Sequence, residues 1–265
     1  MIEVREYGTD GPLVLALHGG PGAPGSIAPV ARGLAERFHV LEPLQRASGG
    51  VPLTVAQHVA DLDEVIRERA GASPPALVGS SWGAMLALVY AAEHAERAGP
   101  LVLVGGGTWD KAARGTLQRI IHDRLGGEDA ARLETLVEDY PDPTERMRVL
   151  GELILPVFAF DPNPAWKSDD AFDAAGNVET WGDMVRLQEA GVYPAEFAAI
   201  EVPVLMLHGD HDPHPGPLIR DSLLPVLPQL EYVELANCGH DPWIERQARD
   251  EFFTVLADWL ARHAR

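Results

Sequence analysis

Short apolar runs alternate with longer amphipathic stretches along most of the chain. Most of the runs span about four to six residues and are bounded by Gly, Pro or polar residues, which is typical of buried parallel strands. The runs that we interpret as strands are Leu13–Leu17, Val40–Leu41, Ala76–Val78, Leu101–Val104, Val204–Leu207 and Tyr232–Leu235. In residues 1–7, apolar and polar residues alternate one by one, and this pattern predicts a further strand at the N-terminus.

Three of the stretches between and after these runs have helical character. Thr54–Ala70 carries its apolar residues on one face and its charged residues on the other. Trp82–His94 is mostly apolar and should be buried, and Pro242–Ala261 has a proline in its first turn. This alternation predicts an α/β fold, in which a mostly parallel sheet carries helices on both faces.

One long segment breaks the alternation. Residues 108–197 contain helical patterns but no convincing buried strand, and the strand rhythm resumes at Val204. The helical patterns are Lys111–Leu125, Glu128–Asp139, Thr144–Leu155 and Val178–Ala190. We therefore predict a core of residues 1–107 and 198–265, with residues 108–197 as an inserted helical cap. Such an insertion at the strand ends, where α/β sheets bind ligands, predicts a lid.

Composition and charge restrict the class of protein. With 46% hydrophobic residues, the chain can bury a core and is not disordered. Its net charge of −19 argues against a nucleic-acid or membrane partner. The longest apolar stretch, Ala84–Ala92, is well short of the ~20 residues of a membrane span. The single cysteine, Cys238, and an N-terminus without a leader pattern predict a cytoplasmic protein.

The pentapeptide Gly79-Ser80-Ser81-Trp82-Gly83 is the strongest chemical signal in the sequence. It follows a predicted strand and precedes the apolar helix, which is the context of a Gly-x-Ser-x-Gly nucleophile elbow. The two glycines are needed because side chains there would collide with neighbouring backbone. Although a serine at this place commonly caps a helix, its context favours Ser81 as a catalytic nucleophile.

A serine nucleophile needs a base and an acid that orients the base. Both follow in the chain order that the elbow predicts, in loops after the strands at Val204 and Tyr232. His240 is the candidate base, and Asp210 and Asp212 are both available as the acid. A metal site built from His208, Asp210, His211, Asp212 and His214 is disfavoured, because it would not need the serine elbow. We expect no metal and no cofactor.

The segment His18-Gly19-Gly20-Pro21-Gly22 directly follows the strand Leu13–Leu17. Acyl transfer develops negative charge on the carbonyl oxygen, and fixed backbone N–H donors stabilise it. The amides of Gly20 and Trp82 are the predicted pair of donors. A phosphate-binding loop is disfavoured because no Gly-Lys-Ser/Thr follows.

Together these segments resemble the α/β-hydrolase superfamily over residues 10–107 and 200–263. The resemblance points to Asp212 as the acid and matches Gly239, His240 and Glu245 to the loop of the base. The His-Gly-Gly-Pro-Gly motif is similar to that of the prolyl iminopeptidase branch, whose members remove N-terminal proline from peptides. The chain departs from that branch at Ser80, where the branch has glycine, and in the segment after the strand at Val40.

Three functions follow as hypotheses. The first is an aminopeptidase acting through an acyl-enzyme on a small molecule or short peptide. Its ammonium site would use carboxylates of the predicted cap, from Glu152, Asp173, Glu179 and Glu189. The second is a carboxylesterase or carbon–carbon bond hydrolase, whose apolar acyl pocket would use Trp109, Phe158, Phe160, Trp166 and Trp181. The third is a non-catalytic ligand receptor on the same scaffold. The sequence predicts no oligomeric state.

Overall fold

A seven-stranded sheet organises the structure, a computed structural model that describes residues 2–166 and 172–265. The strand order is β1-β3-β2-β4-β5-β6-β7. β1 pairs antiparallel with β3, and the other neighbours are parallel. The strands are β1 (Val4–Tyr7), β2 (Leu13–Leu17), β3 (His39–Pro43), β4 (Ala76–Ser80), β5 (Leu101–Val104), β6 (Val204–Gly209) and β7 (Leu230–Leu235). The predicted mostly parallel sheet is confirmed.

Apolar side chains cover both faces of this sheet. In β2, Leu15 and Leu17 belong to one buried cluster, whereas Val14 and Ala16 belong to a second. Successive side chains of a strand point to opposite faces, so a fully apolar run is what a sheet covered on both sides requires. The first cluster includes residues of the helices after β3 and β4, and the second includes residues of the helix after β2 and of the C-terminal helix.

Eight α-helices lie within the described ranges 2–166 and 172–265. They are α1 (Ala28–Leu34), α2 (Val55–Arg69), α3 (Trp82–Glu93), α4 (Lys111–Asp139), α5 (Pro143–Phe158), α6 (Ala174–Glu189), α7 (Gly216–Leu223) and α8 (Arg249–His263). Helix α4 is interrupted at Gly126, whose φ of +70° and ψ of 171° are not helical. No helix in the described part of the chain has the length and apolar character that crossing a membrane would require.

The predicted helices are present in the structure, but several of their ends differ; α6, for example, begins at Ala174 and not at Val178. Thr54 caps α2 by accepting a hydrogen bond from the Gln57 amide, so the predicted start at this residue is confirmed. The prediction that a helix begins at Pro242 is wrong, because Pro242–Ile244 is a short 3₁₀ helix and α8 begins at Arg249. Proline at the first turn is equally compatible with either kind of helix, so the sequence pattern did not separate them.

In its described residues, 108–166 and 172–197, the segment between β5 and β6 is helical, as the sequence predicts. It contains α4, α5 and α6, together with short 3₁₀ helices at Pro164–Trp166 and Ala195–Ala199. We call residues 108–197 the helical segment. It leaves the sheet at the carboxyl end of β5 and returns at the amino end of β6. Its hydrogen bonds to His211 and His240 place part of it beside the loops that follow β6 and β7.

Candidate active site

Ser81 lies in a sharp turn between β4 and α3. Its backbone has a φ of +53° and a ψ of −114°, a conformation that is rare for residues other than glycine. A Cβ atom on Gly79 would lie 2.2 Å from the Gly83 carbonyl oxygen, and one on Gly83 would lie 2.0 Å from the Leu17 carbonyl oxygen. The predicted steric requirement for both glycines is therefore present. Backbone strain at a turn of this kind is a frequent mark of a functional residue.

The loop after β2 passes directly beside this serine. A Cβ atom on Gly19 would lie 3.1 Å from the Cβ atom of Ser81, so a side chain there would crowd the serine. Gly20, the next residue, has a φ of +69° and is partly exposed at the same rim. Trp82 is the first residue of α3, where backbone N–H groups lack partners within the helix. Both predicted oxyanion donors therefore lie close to Ser81 along the chain or in space.

Gln45 fixes the loop after β2, a role that the sequence analysis did not assign. Its backbone N–H donates to Nε2 of His18 at 3.0 Å, and its side-chain amide donates to the His18 carbonyl at 2.9 Å. The Trp82 indole N–H donates to Oε1 of Gln45 at 2.7 Å. Because Nε2 of His18 accepts, its proton is on Nδ1, which faces the Gly19 carbonyl at 3.1 Å. This network ties the loop after β2 to the start of α3.

Asp212 and His240 meet at the carboxyl ends of β6 and β7. The Nδ1 atom of His240 lies 2.7 Å from Oδ2 of Asp212, and the Asp212 side chain is fully buried. Asp210, the other candidate acid, instead accepts a hydrogen bond from the Cys238 amide at 3.1 Å. Geometry therefore selects between the two aspartates that the motif left open.

The loop carrying His240 returns to the strands beside Ser81. A Cβ atom on Gly105, just after β5, would lie 3.0 Å from Nδ1 of His240. The preceding residue, Val104, accepts a hydrogen bond from the Ser81 amide at 2.8 Å. The serine and the imidazole thus lie on either side of the end of β5.

The electrostatics of the pair are those of a carboxylate facing an imidazolium. Burial alone would raise the pKa of Asp212, but the facing imidazoles of His240, His214 and His208 hold it well below its ordinary value. Burial would lower the pKa of His240, yet the charge of Asp212 and its hydrogen bond raise it to about 9. The carboxylate is therefore ionised and stabilises a proton on His240.

Two more imidazoles surround the same carboxylate, and the sequence analysis assigned neither of them a catalytic role. Oδ1 of Asp212 lies 2.9 Å from Nδ1 of His214, and Oδ2 lies 3.3 Å from Nε2 of His208. A carboxylate oxygen of Asp212 and one ring nitrogen each of His214 and His240 all lie within 4.8 Å of one another. The shortest oxygen–nitrogen separations in this cluster, 2.7 and 2.9 Å, have the length of hydrogen bonds.

Part of the helical segment holds the loop of His240. The His240 amide donates to the Phe158 carbonyl at 2.7 Å, and the Phe158 ring lies edge-on to the imidazole with centroids 5.6 Å apart. Glu245, fully buried, accepts hydrogen bonds from the amides of Gly239 at 2.9 Å, Phe160 at 2.8 Å and Asp161 at 2.7 Å. This carboxylate joins the loop after β7 to the end of α5.

Helix α6 holds the opposite side of the site through its carboxylates. Asp173 accepts from the amide and the hydroxyl of Ser48, at 2.6 and 2.8 Å. Glu179 accepts from the amide of Leu53 at 3.0 Å. These two candidate ammonium ligands therefore bind the loop between β3 and α2. The other two candidates, Glu189 and Glu152, are exposed.

The aromatic residues proposed for an acyl pocket have different positions. Phe158 contacts His240, whereas Trp109 is buried against Phe197 with ring centroids 4.7 Å apart. Trp166 lies beneath the guanidinium of Arg249. Of the other two, Phe160 is exposed and lies edge-on to His211, and Trp181 packs against the core. Among the five, Phe158 is the one that lies against the candidate base.

Comparison with known proteins identifies the fold. A family model described as alpha/beta hydrolase fold matches residues 12–247, a range that includes Ser81, Asp212 and His240. The chain is 26% identical to a proline iminopeptidase of Lactobacillus delbrueckii subsp. bulgaricus, over 95% of this chain and 90% of that protein. It is 28% identical to a proline iminopeptidase of Lactobacillus crispatus (strain ST1), with coverage of 95% and 90%.

Solved structures share the fold at lower sequence identity. VinJ superposes with a TM-score of 0.70 and 23% identity, covering 98% of this chain and 94% of that one. The enol-lactonase from Burkholderia xenovorans LB400 superposes with a TM-score of 0.64 and 23% identity, covering 98% and 96%. The chain therefore belongs to the α/β-hydrolase fold family, is similar to proline iminopeptidases over most of its length, and is a hydrolase.

Proposed function

We propose that the protein is a serine hydrolase that works through an acyl-enzyme. Ser81 is the nucleophile, His240 is the base and Asp212 orients and stabilises the imidazolium. The observation that carries this proposal is the buried Asp212–His240 hydrogen bond of 2.7 Å, which lies across the end of β5 from a strained serine turn. Solvent-exposed pairs of a carboxylate and an imidazole are often merely structural. This carboxylate, in contrast, is fully buried, which favours a role in catalysis.

The proposed reaction begins when the Ser81 hydroxyl attacks the substrate carbonyl carbon. The base is the neutral form of His240, whose population grows as the pH rises towards its pKa of about 9. In this form the tautomer that donates Nδ1–H to Asp212 leaves a lone pair on Nε2, which takes the hydroxyl proton. Negative charge then develops on the carbonyl oxygen, where the amides of Gly20 and Trp82 stabilise it. The imidazolium of His240 gives its proton to the leaving group, and an ester remains on Ser81.

The second half of the reaction releases the acyl group. His240 removes a proton from a water molecule, which attacks the acyl carbon, and the same proton returns to Ser81 as the bond breaks. The product is a carboxylic acid, and the serine hydroxyl is restored. Throughout the cycle Asp212 stays ionised, as its lowered pKa requires.

For the substrate, we infer a peptide or amide with a free N-terminal residue, as the names of the relatives suggest. Two observations support this class. The chain is 26–28% identical to proline iminopeptidases over 95% of its length. Its net charge of −19 also attracts a cationic α-ammonium group during encounter.

A second class, an ester with an apolar acyl group, is favoured by one specific observation. Asp173 and Glu179 of α6 are already hydrogen-bonded to backbone amides of Ser48 and Leu53. Carboxylates held in this way have fewer free lone pairs for an ammonium group. The ring of Phe158 beside His240 supplies apolar surface instead.

Three chromogenic substrates, two anilides with the same leaving group and one ester, separate these classes. They are proline 4-nitroanilide, its N-acetyl derivative and 4-nitrophenyl butyrate. An aminopeptidase should cleave the first at least about 100-fold faster than the second, since losing a buried charge-assisted hydrogen bond costs about 3 kcal/mol. An esterase should turn over the butyrate and show no preference for the free amine.

The catalytic assignment itself is tested with Ser81→Ala and with the adjacent Ser80→Ala as the matched control. Ser80 is buried at the end of β4, and its side chain is not part of the proposed machinery. We expect the first variant to lose turnover and fluorophosphonate labelling, and the second to keep both. A wild-type protein that is not labelled and does not turn over would instead support the receptor hypothesis.

A further inference from the structure

Two imidazoles share the buried carboxylate of Asp212. His240 contacts Oδ2 through Nδ1 at 2.7 Å, whereas His214 contacts Oδ1 through both its backbone N–H and its Nδ1, each at 2.9 Å. The two rings stack on each other with centroids 4.6 Å apart and an interplanar angle of 23°. Both side chains are only 13% exposed. The proposed reaction uses His240 and leaves His214 without a role.

The surroundings of the two imidazoles determine which of them carries a positive charge. Nε2 of His208 donates to the His214 carbonyl at 2.9 Å, which fixes the His214 backbone beside the carboxylate. The single negative charge of Asp212 can balance one imidazolium. If His240 and His214 were both charged, two stacked rings of like charge would repel each other. Burial lowers the pKa of His214 by more than the charge of Asp212 and its hydrogen bond raise it, and the charge of His240 lowers it further. His214 is therefore a neutral donor to Oδ1.

We propose that His214 is a positioning residue that acts through Asp212 to set the proton affinity of His240. Its Nδ1–H bond holds the carboxylate in one orientation. It also draws charge towards Oδ1, so that Oδ2 attracts the imidazolium of His240 less strongly. The consequence for catalysis rests on the function proposed above, because a less basic His240 returns its proton to the leaving group more readily.

Other ionisable groups around this cluster have hydrogen-bond partners of their own. Arg124 of α4 donates to the carbonyls of Val157 at 2.7 Å and His211 at 2.6 Å. Asp210 and Glu245 accept backbone N–H groups of the loop after β7. The remaining ionisable groups near the cluster are His208 in β6, His211 in the loop after it, Tyr232 in β7, and Cys238 and Asp241 in the loop after β7. Among these groups, His214 is the one whose side-chain N–H donates to Oδ1 at 2.9 Å.

Two substitutions separate the hydrogen bond from the stacked ring. His214→Phe keeps an aromatic ring but removes the donor. His214→Asn removes the ring but places an amide N–H where Nδ1 was, and it cannot titrate. His122→Asn, at a histidine whose side chain is 80% exposed on α4, is the control. The pKa of His240 is measured by NMR titration of the histidine ring signals, and fluorophosphonate labelling of Ser81 is followed against pH.

We expect His214→Phe to raise the pKa of His240 by about one unit, which slows labelling at neutral pH by about tenfold. His214→Asn should restore the wild-type titration, and the control should not change it. An unshifted pKa in His214→Phe would overturn the proposal. Equal shifts in both variants would also overturn it, because they would indicate a merely structural disturbance.

One further measurement needs no substitution. In the wild-type protein, ¹⁵N shifts should report His214 as neutral with its proton on Nδ1 throughout the titration of His240. Finding His214 charged, or protonated on Nε2, would contradict the proposal even if the Phe variant did not fold. Absence of labelling together with the expected NMR shift would refute the serine hydrolase function but leave the coupling of the two histidines intact.

Discussion

The sheet core and the helical segment of residues 108–197 are stabilised in different ways. The core has apolar clusters on both faces of the sheet and glycines where backbone touches backbone. In the helical segment, the 29-residue helix α4 buries Ala113, Leu125 and Leu136, and a small cluster joins Leu136 to α5. The segment is attached to the core through buried apolar residues such as Met184 and through Asp173 and Glu179, which accept hydrogen bonds from amides of the loop between β3 and α2. Substitutions in the core should therefore affect folding and chemistry, and those in the segment should affect local order.

The largest expected effect is in the core. Asp212→Asn should reduce kcat/KM by about 10³- to 10⁴-fold, because an amide neither stabilises the imidazolium nor enforces the Nδ1–H tautomer of His240. Steady-state kinetics on the best of the three substrates would measure this. Asp210→Asn is the matched control, since Asp210 bonds the Cys238 amide and not His240. Similar losses in the two variants would show that Asp212 has no special part in the chemistry.

Replacing glycine with alanine should lower the free energy of unfolding in the core and raise it in the helical segment. Gly83→Ala places a methyl group 2.0 Å from the Leu17 carbonyl oxygen, so we expect a loss of at least about 3 kcal/mol in the free energy of unfolding. Gly115→Ala, on an exposed face of α4 with no atom within 4 Å, should gain about 0.5–1 kcal/mol. Urea denaturation measures both. A Gly83→Ala variant as stable as the wild type would mean that the turn at Ser81 can relax. It would contradict the expected difference between the core and the helical segment.

His58 tests a buried contact between the two regions. Its Nε2 lies 2.9 Å from the Thr180 hydroxyl of α6, and burial lowers the pKa of His58 to about 4. Between pH 6.5 and 4 the unfolded chain binds a proton that the folded chain does not bind, so stability is present above pH 6.5 and falls below it. This group accounts for about 3 kcal/mol of that loss at most.

His58→Gln should therefore reduce the difference between the unfolding free energies measured at pH 7 and pH 4.5. His122→Gln, at an exposed histidine of α4, provides the comparison and should leave the difference unchanged. If both variants behaved like the wild type, the acid sensitivity would have to come from other groups, and the contact between α2 and α6 would not matter to it.

The smallest effect is expected at the attachment of α6. Asp173→Asn weakens the bonds to Ser48 and to the Gly176 amide, which should cost about 2 kcal/mol locally. Hydrogen exchange of the α6 amides should accelerate while kcat changes less than KM. Asp129→Asn, at an exposed ion pair with Arg132, serves as the control. Loss of global stability in the Asp173 variant would show that the segment and the core unfold together.

Local patterns predicted most of the secondary structure. The runs Leu13–Leu17 and Leu101–Val104 coincide with β2 and β5, and the N-cap Thr54 marks the start of α2. Helices α1 and α7 were not predicted, because they are short and begin next to proline and glycine residues that also occur in loops. The wrong start of α8 at Pro242 has a similar cause, since proline suits the first turn of several structures.

The sequence by itself determined the order of the strands along the chain, the serine elbow and the loop in which each candidate group lies. These features depend on neighbours a few residues apart, whose side-chain periodicity and steric requirements are local. The tertiary structure decided that Asp212, and not Asp210, faces His240, and that His214 shares the same carboxylate. It also decided that Asp173 and Glu179 bind backbone amides. Such pairings join loops from separate strand ends, and their distances follow from sheet register and turn direction, which no short stretch of sequence encodes.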